Sequence, residues 1–216
     1  MEKTITLDRS SPEIEYLCKK DKRLAKVISM VGPLTYQVHD ADPFNFLVHE
    51  IIEQMLSIKA AAKIYSRLVA LCDGIICPDT INSLTFEQMR TIGISTSKVS
   101  YIREITNQIL SGQLSLLALQ EMSDKEVIKY LTKIRGIDTW TAKMYLIFVL
   151  NRPDVLPVED GAFLQSYKWL YNTDDVSKQS IEKKCHKWKP YSSIASRFMY
   201  RALDMGFTKE RFHLYK

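Results

Sequence analysis

Glycine and proline are both scarce in this chain, with seven of each among 216 residues, and so few breaks favour a helical protein. No apolar run is long enough to span a bilayer. Residues 1–11 are polar and lack the apolar core of a signal peptide. We therefore expect a helical protein of an intracellular compartment.

Cysteine is also rare. The four present are Cys18, Cys72, Cys77 and Cys185, and they do not form the paired Cys-x-x-Cys sets that hold zinc. Cys72 and Cys77 flank an Asp-Gly turn and are interpreted as plain buried thiols.

Charge of one sign dominates only slightly. Thirty Lys and Arg residues face 25 Asp and Glu residues, which gives a formal net charge of +5. This balance is compatible with binding a polyanion but is not diagnostic of it. With 46% apolar residues, the chain is long enough to bury one or two small cores.

Capping residues mark several helix starts. Ser11-Pro12 predicts a helix to about Lys20, and Thr85 with Gln88 three positions later predicts a capping box. Residues 123–126 predict the cap of another helix, which leads into the segment considered next.

The segment 131–150 predicts two helices joined by a tight turn at Gly136-Ile137-Asp138, because glycine takes a positive φ at no steric cost. We expect the second helix over 139–150, ending ahead of Pro153. The N–H groups and positive dipole end of a helix start suit a phosphate. The positive charges nearby are Lys133, Arg135 and Lys143. The segment is a candidate phosphate grip, and the alternative is an ordinary helical hairpin in a bundle core.

A wider pattern surrounds this hairpin. Gly-Ile-x-x-Trp-Thr-Ala at 136–142 is followed by a helix, by Arg-Pro-Asp-x-x-Pro at 152–157 and by the acidic pair Glu159-Asp160. The pattern resembles the helix-hairpin-helix DNA glycosylases, most closely the 3-methyladenine DNA glycosylase II branch. The resemblance implies an all-α fold of two helical subdomains with the active cleft between them.

The division of the chain follows from the same resemblance. Residues 1–42 and 152–216 are expected to form one discontinuous subdomain. Residues 43–151 are expected to form the other, which ends in the hairpin at 131–150.

Asp160 is the catalytic candidate that the resemblance implies, since it lies 24 residues after Gly136. Breaking an N-glycosidic bond places positive charge on the sugar, and a buried carboxylate stabilises that charge and can activate water. The adjacent Glu159 matches a structural acidic position of the family. The alternative for Asp160 alone is a helix N-cap following Pro157.

Trp140 stands where lyase-active relatives carry a nucleophilic lysine, and an indole cannot form a Schiff base. We therefore expect no backbone cleavage. Trp140 can instead stack on a flipped cationic base, with Tyr145 and Trp188 as further pocket candidates. A buried core tryptophan is the alternative.

The run Gln-x-x-Ser-x-x-Ala-Ala at 54–61 also resembles a family segment. The resemblance implies that Met55 wedges into the duplex and fills the gap left by the flipped base. The alternative is that Met55 is a core residue like its neighbours. The resulting candidate DNA-binding residues are Met55, Ser57, Arg135, Gly136, Asp138, Thr141 and Lys143.

Two positions depart from the family pattern. Asp138 replaces the second glycine of a Gly-x-Gly turn, where a carboxylate could repel a phosphate or require a different φ. Ser192 replaces an arginine in a run that resembles Trp-x-Pro-x-Arg-Ser-x-Ala, which weakens any phosphate contact there. Ser95 and Lys98 are interpreted either as residues of a surface helix joint or as contacts with DNA, and both alternatives stay open.

The resemblance also bears on cofactors. Family hairpins hold a monovalent cation through carbonyls that correspond to Thr132, Ile134 and Ile137, next to the departure at Asp138. Some relatives carry a four-cysteine iron–sulfur array after the aspartate, whereas only Cys185 lies there. We expect no iron–sulfur cluster and no other cofactor.

These observations predict a monomeric, monofunctional DNA glycosylase that flips and removes alkylated purines of the 3-methyladenine and 7-methylguanine type from double-stranded DNA. Its place would be the cytoplasm of a prokaryote or the nucleus of a eukaryote. The alternatives are a glycosylase for another lesion and a non-catalytic DNA-binding module of the same fold, for which Asp138 and Ser192 are the best arguments.

Overall fold

The structure is a computed structural model that describes residues 3–38 and 42–215, with the side chains of Lys3, Val38 and Ile58 outside the description. The all-α prediction is confirmed: within these residues the chain forms twelve α-helices and one two-stranded sheet. It divides into two compact units, Met1–Asp40 with Asn151–Lys216 and Ala41–Leu150. No helix among the described residues is long and apolar enough to cross a membrane.

The first unit joins both ends of the chain. Its strands are β1 (Lys3–Leu7) and β2 (Leu34–Val38), which pair antiparallel with Ile5 opposite Tyr36. Its helices are α1 (Pro12–Lys20), α2 (Lys22–Val31), α10 (Gly161–Tyr171), α11 (Lys178–Cys185) and α12 (Ser192–Asp204). Short 3₁₀ turns follow at His186–Trp188 and Phe207–Lys209.

The core of the first unit combines aliphatic side chains with aromatic rings such as Phe163, Tyr167 and Trp188. The buried Asp21 contacts this core. Asp21 caps α2 through its Oδ1, which accepts the N–H groups of Arg23 and Leu24. Its Oδ2 accepts hydrogen bonds from the Tyr171 hydroxyl at 2.5 Å and from the Trp188 indole at 3.0 Å. The Lys187 ammonium lies 3.0 Å from the same oxygen. Burial would raise the pKa of Asp21, but these hydrogen bonds lower it.

The second unit is entirely helical in the described residues. Its helices are α3 (Pro43–Glu53), α4 (Ile58–Leu71), α5 (Pro78–Ser83), α6 (Phe86–Thr91), α7 (Thr96–Leu110), α8 (Asp124–Leu131) and α9 (Thr139–Met144), with a 3₁₀ turn at Leu117–Glu121. The capping boxes predicted at Thr85 and Ser123 are both present. The helix α7 packs against α3, α5 and α6, and the helices α8 and α9 pack against each other to form the hairpin.

The hairpin helices differ from the sequence expectation at two points. The first helix ends at Leu131, and residues 132–135 form successive turns instead of continuing it. The second helix begins at Thr139 as predicted, but after Met144 it continues as a π-helix over Tyr145–Val149. The N–H of Leu150 accordingly bonds to the Tyr145 carbonyl at 3.0 Å, five residues back. An i→i+5 pattern has no apolar periodicity of its own to reveal it in advance.

Candidate active site and nucleic-acid interface

Asp160 is a buried helix cap, with 8% of its surface exposed. It precedes α10, and its Oδ1 accepts the N–H of Phe163 at 2.7 Å. The Asp160 N–H bonds to the Pro157 carbonyl at 3.1 Å. The cap reading of Asp160 is therefore correct, and it is compatible with a catalytic role, because the cap fixes the orientation of the carboxylate.

The segment that leads to Asp160 is fastened to the first turn of α12. The Ser193 N–H bonds to the Pro153 carbonyl at 3.0 Å. The Ser193 hydroxyl oxygen accepts the Val155 N–H at 2.9 Å and lies 3.3 Å from the Val155 carbonyl. The hydroxyl of Ser192 donates to Asp154 Oδ1 at 2.5 Å. These bonds hold the backbone a few residues before Asp160 and so limit the movement of its carboxylate.

Ser192 and Glu159 have contrasting positions beside this segment. Ser192, which stands where the family pattern has arginine, is 2% exposed and is committed to Asp154. A phosphate contact by its side chain is therefore not supported. Glu159 is exposed, unlike the buried Asp160 next to it.

The hairpin turn requires a glycine at position 136. Gly136 has φ +91°, and a Cβ built there would lie 2.4 Å from ring carbons of Tyr101 on α7. The same Tyr101 ring carries the Arg135 guanidinium 5.5 Å from its centroid. Arg135 is exposed, so its charge is available at the surface of the turn.

Asp138 is the N-cap of α9. Its side-chain Oδ1 accepts the N–H of Thr141 at 2.8 Å, and its φ of −96° is ordinary for any residue. The expectation that this position could need an unusual φ is therefore wrong. Asp138 is exposed, so it places a negative charge at the turn and occupies one of the helix-start donors.

The three aromatic pocket candidates do not share one environment. Trp140 lies in the first turn of α9 and is partly exposed. Tyr145 is fully buried and packs edge-on against Phe46 in the second unit. Trp188 is also fully buried, stacked on Tyr171 in the first unit. These placements correct the pocket roles given to Tyr145 and Trp188, because an enclosed ring has no free face for a base.

Met55 lies in the loop between α3 and α4, and it is not a core residue. Its side chain is fully exposed, with a relative accessibility of 101%, and its φ of +59° is rare for a residue with a side chain. Ser57 is exposed and caps α4 by accepting the Ala60 N–H at 3.4 Å. The core alternative for Met55 is therefore excluded.

Thr141 and Lys143 differ in exposure on α9. Thr141 is 0% exposed, and its hydroxyl lies 3.3 Å from the Gln54 side-chain amide. Its predicted contact with DNA is corrected to an internal role in the hairpin. Lys143 is partly exposed.

Two residues that the sequence analysis did not select connect these parts. Gln54 donates from its Nε2 to the Gly136 carbonyl at 2.9 Å, and Lys98 donates to the carbonyls of Ile52 and Gln54 at 2.9 and 2.5 Å. Both belong to runs that the sequence analysis noted, but only the folded chain reveals their partners. For Lys98 the structural role, not an exposed DNA contact, is observed.

Metal binding has two candidate locations in the second unit. Among the hairpin carbonyls, that of Ile134 accepts the Ile137 N–H at 3.1 Å. A carbonyl oxygen has a second lone pair, which this bond leaves available for a cation. A cation at the hairpin stays a prediction. Among the described residues, ligand atoms of His49, Glu50 and Glu53 lie within 4.8 Å of one another. The hydrogen bond with Glu50 raises the pKa of His49, against the effect of burial, and a protonated imidazole does not bind a metal.

Comparison with protein families identifies the fold. Residues 48–190, more than half of the chain, match the HhH-GPD superfamily of base excision DNA repair proteins. The chain belongs to this superfamily. The HhH-GPD match contains the Met55 loop, the hairpin and Asp160, and it ends just ahead of Ser192.

HhH-GPD relatives of known structure cover nearly the whole chain. A DNA-3-methyladenine glycosidase from Bacillus halodurans is 34% identical, covers 97% of each chain and superposes with a TM-score of 0.83. A 3-methyladenine DNA glycosylase from Schizosaccharomyces pombe, solved with abasic DNA, is 25% identical, with a TM-score of 0.79 over 95% of this chain and all of that one.

A longer relative is known from sequence. The Bacillus subtilis protein named "Putative DNA-3-methyladenine glycosylase" is 32% identical over 77% of this chain. This chain spans 61% of the length of that relative.

Proposed function

We propose that this protein is a monofunctional DNA glycosylase that removes alkylated purines, of the 3-methyladenine and 7-methylguanine type, from double-stranded DNA. Support comes from membership of the HhH-GPD superfamily and from the names of its relatives. The observation that carries the proposal is Asp160, a carboxylate that is 8% exposed and held in a fixed orientation.

The chemistry needs one carboxylate. As the N-glycosidic bond breaks, its electron pair leaves with the base and positive charge grows on the sugar. The Asp160 carboxylate stabilises that charge and accepts a proton from the water that adds to the sugar. A purine alkylated on a ring nitrogen already carries positive charge, so it leaves as a neutral base without a general acid.

The second unit supplies the proposed grip on DNA. The turn at Gly136 and the exposed Arg135 hold a phosphate without reading sequence, and the exposed Met55 fills the gap left by the flipped nucleotide. Backbone carbonyls of Thr132, Ile134 and Ile137 remain the proposed holders of a monovalent cation, which would add positive charge at the turn.

We propose two roles for the tryptophan at position 140, one in base binding and one in the type of reaction. Its partly exposed indole stacks on the flipped cationic base, which an electron-rich ring face favours. Because an indole is not an amine, the position supplies no nucleophile for a Schiff base, and base removal proceeds without strand cleavage. The protein is proposed to act as a monomer on duplex DNA that contains damaged bases.

Base release from methylated duplex DNA tests this proposal when it is measured beside binding to abasic DNA. We expect release of 3-methyladenine and 7-methylguanine, and no covalent adduct when borohydride is added during turnover. A panel of other lesions separates this activity from a glycosylase of different specificity. Abasic-DNA binding without release of any lesion would instead identify a non-catalytic module of the same fold.

A further inference from the structure

The loop that carries Met55 is connected directly to the hairpin. Gln54 precedes Met55, and its side-chain Nε2 donates to the carbonyl of Gly136 at 2.9 Å, 82 residues away in sequence. The same nitrogen lies 3.3 Å from the hydroxyl of the buried Thr141. One amide group therefore contacts both the turn and the second helix of the hairpin.

The backbone of Gln54 is held from a second direction by α7. The Lys98 ammonium donates to the carbonyls of Ile52 and Gln54 at the end of α3, where helix carbonyls lack helical partners. Lys98 is half-buried, and this burial lowers the pKa of its ammonium. One turn further along α7, Tyr101 contacts Gly136, so the loop and the hairpin share one support.

These contacts matter because Met55 has a backbone conformation that is unfavourable for a residue with a side chain. A fully exposed side chain at φ +59° is a conformation that the surrounding residues must impose. The residue directly before it is the one whose side chain and backbone are both fastened. The anchor is therefore placed where it determines the direction of Met55.

We propose that Gln54 is a positioning residue that, braced by Lys98, sets the distance and direction of the Met55 wedge relative to the hairpin. This inference rests on the proposed function, because it assumes that the wedge and the hairpin engage one duplex. Its consequence is that a phosphate bound at the turn and a gap filled by Met55 are kept at a fixed spacing. Gln54 itself does not touch the reacting atoms.

The chemistry of the contact explains the choice of glutamine. A carbonyl acceptor at Gly136 needs a donor, and glutamate offers only acceptors when ionised. Asparagine is one methylene shorter. Gln54→Met keeps the length and removes the donor, whereas Gln54→Glu keeps the shape and reverses the polarity.

A double-mutant cycle between Gln54 and Met55 tests the inference. Binding is measured to a duplex that holds a stable abasic-site analogue, with 2-aminopurine opposite it to report insertion of the wedge. We expect Gln54→Met to weaken binding about tenfold and to reduce the fluorescence change, because the half-buried Gly136 carbonyl loses its donor and Met55 is no longer held in direction. In the Met55→Ala background the same substitution should have less than about a twofold effect, because coupled residues are not additive.

Two controls exclude simpler explanations. Gln113→Met makes the same change at an exposed glutamine of the same unit and should leave binding as in the parent. Thermal unfolding of each variant shows whether the fold persists. If Gln54→Met does not fold, Gln54→Glu and Lys98→Met are measured in the same cycle.

The outcomes are distinct. Equal losses from Gln54→Met with and without Met55, or no loss at all, would overturn the positioning role. A fluorescence signal that does not depend on Met55 would overturn it too, because no wedge would then be positioned. Absence of base release by the parent refutes the proposed enzyme alone, since this cycle uses DNA that has no base to remove.

Discussion

Two aspartates in this chain cap helices in nearly the same way and lie in very different surroundings. The Asp160 carboxylate accepts the N–H of the residue three positions later in the sequence at 2.7 Å, and the Asp138 carboxylate does the same at 2.8 Å. Asp160 is 8% exposed, whereas Asp138 is exposed at the hairpin turn. The backbone that precedes Asp160 is hydrogen-bonded to α12 through Ser193. The turn that precedes Asp138 is hydrogen-bonded to the Met55 loop through Gln54.

From this difference in burial we expect that capping geometry alone does not determine what a carboxylate does. A buried carboxylate acts strongly on charge that develops beside it, because little water screens it. An exposed carboxylate acts weakly and mainly changes the charge of the surface that meets DNA. We therefore propose chemistry for Asp160 and adjustment of binding for Asp138, and the substitutions below test this contrast.

The largest effect is expected from Asp160→Asn. Asparagine is also a good N-cap, so α10 should keep its start while the negative charge is lost. Base release in single turnover should fall on the order of 10²–10³-fold, the range seen when one preorganised electrostatic group is removed. Binding to abasic DNA should hardly change, since the carboxylate does not hold phosphates.

Asp21→Asn is the matched control for burial and capping. This aspartate is 3% exposed, and its loss should lower the free energy of unfolding by about 3 kcal/mol, as expected for a broken buried ion pair. Base release per folded molecule should stay at the parent value. A release rate that falls as it does in Asp160→Asn, at unchanged stability, would show that burial alone makes either aspartate essential.

The pH dependence of the same control has a definite sign. The pKa of Asp21 is lowered in the folded state, so its stabilisation is present above the unfolded pKa of about 3.9 and is lost as pH falls through the folded value. Urea unfolding of the parent and of Asp21→Asn should therefore differ at pH 7 and converge in acid.

A smaller effect is expected from Trp140→Ala. Stacking on a cationic base in a desolvated site is worth about 2 kcal/mol, which is roughly a thirtyfold loss in rate if it is realised in the transition state. Release of 7-methylguanine should fall far more than binding to abasic DNA, and Trp140→Phe should restore part of it. Parallel loss of both activities, with a drop in stability of about 3–5 kcal/mol, would identify a core tryptophan instead.

The smallest effect is expected from Asp138→Asn. The substitution keeps the cap and removes one negative charge, so duplex DNA should bind about two- to fivefold more tightly, given about 0.3–1 kcal/mol for a charge at a helix start. Asp79→Asn removes an exposed acidic residue from the first turn of α5 and should have a smaller effect. Weaker binding by Asp138→Asn would show that the carboxylate supports the grip.

Local signals in the sequence were sufficient for several helix starts. The capping boxes at Thr85 and Ser123 follow from residues three positions apart, and the start of α9 at Thr139 follows from the turn before it. Asp138 also had a local signal, since aspartate is a preferred N-cap. The Gly-x-Gly turn of the family pattern has no side chain at this position and therefore does not indicate a cap.

Long-range contacts could not be predicted in this way. Trp188 and Tyr145 are aromatic residues close to recognised motifs, and nothing local distinguishes a pocket ring from a packed one. The partner of Trp188 is Asp21, 167 residues away, and the partner of Gln54 is Gly136. Such pairs are set by how the helices pack, which periodicity within one helix does not encode.

Single-turnover base release and abasic-DNA affinity, measured together for the parent, Asp160→Asn and Asp138→Asn on 7-methylguanine DNA, separate chemistry from binding most directly. We predict that Asp160→Asn loses release and keeps affinity, whereas Asp138→Asn keeps release and gains affinity. Release by Asp160→Asn at the rate of the parent would contradict the assignment and place the chemistry on another residue.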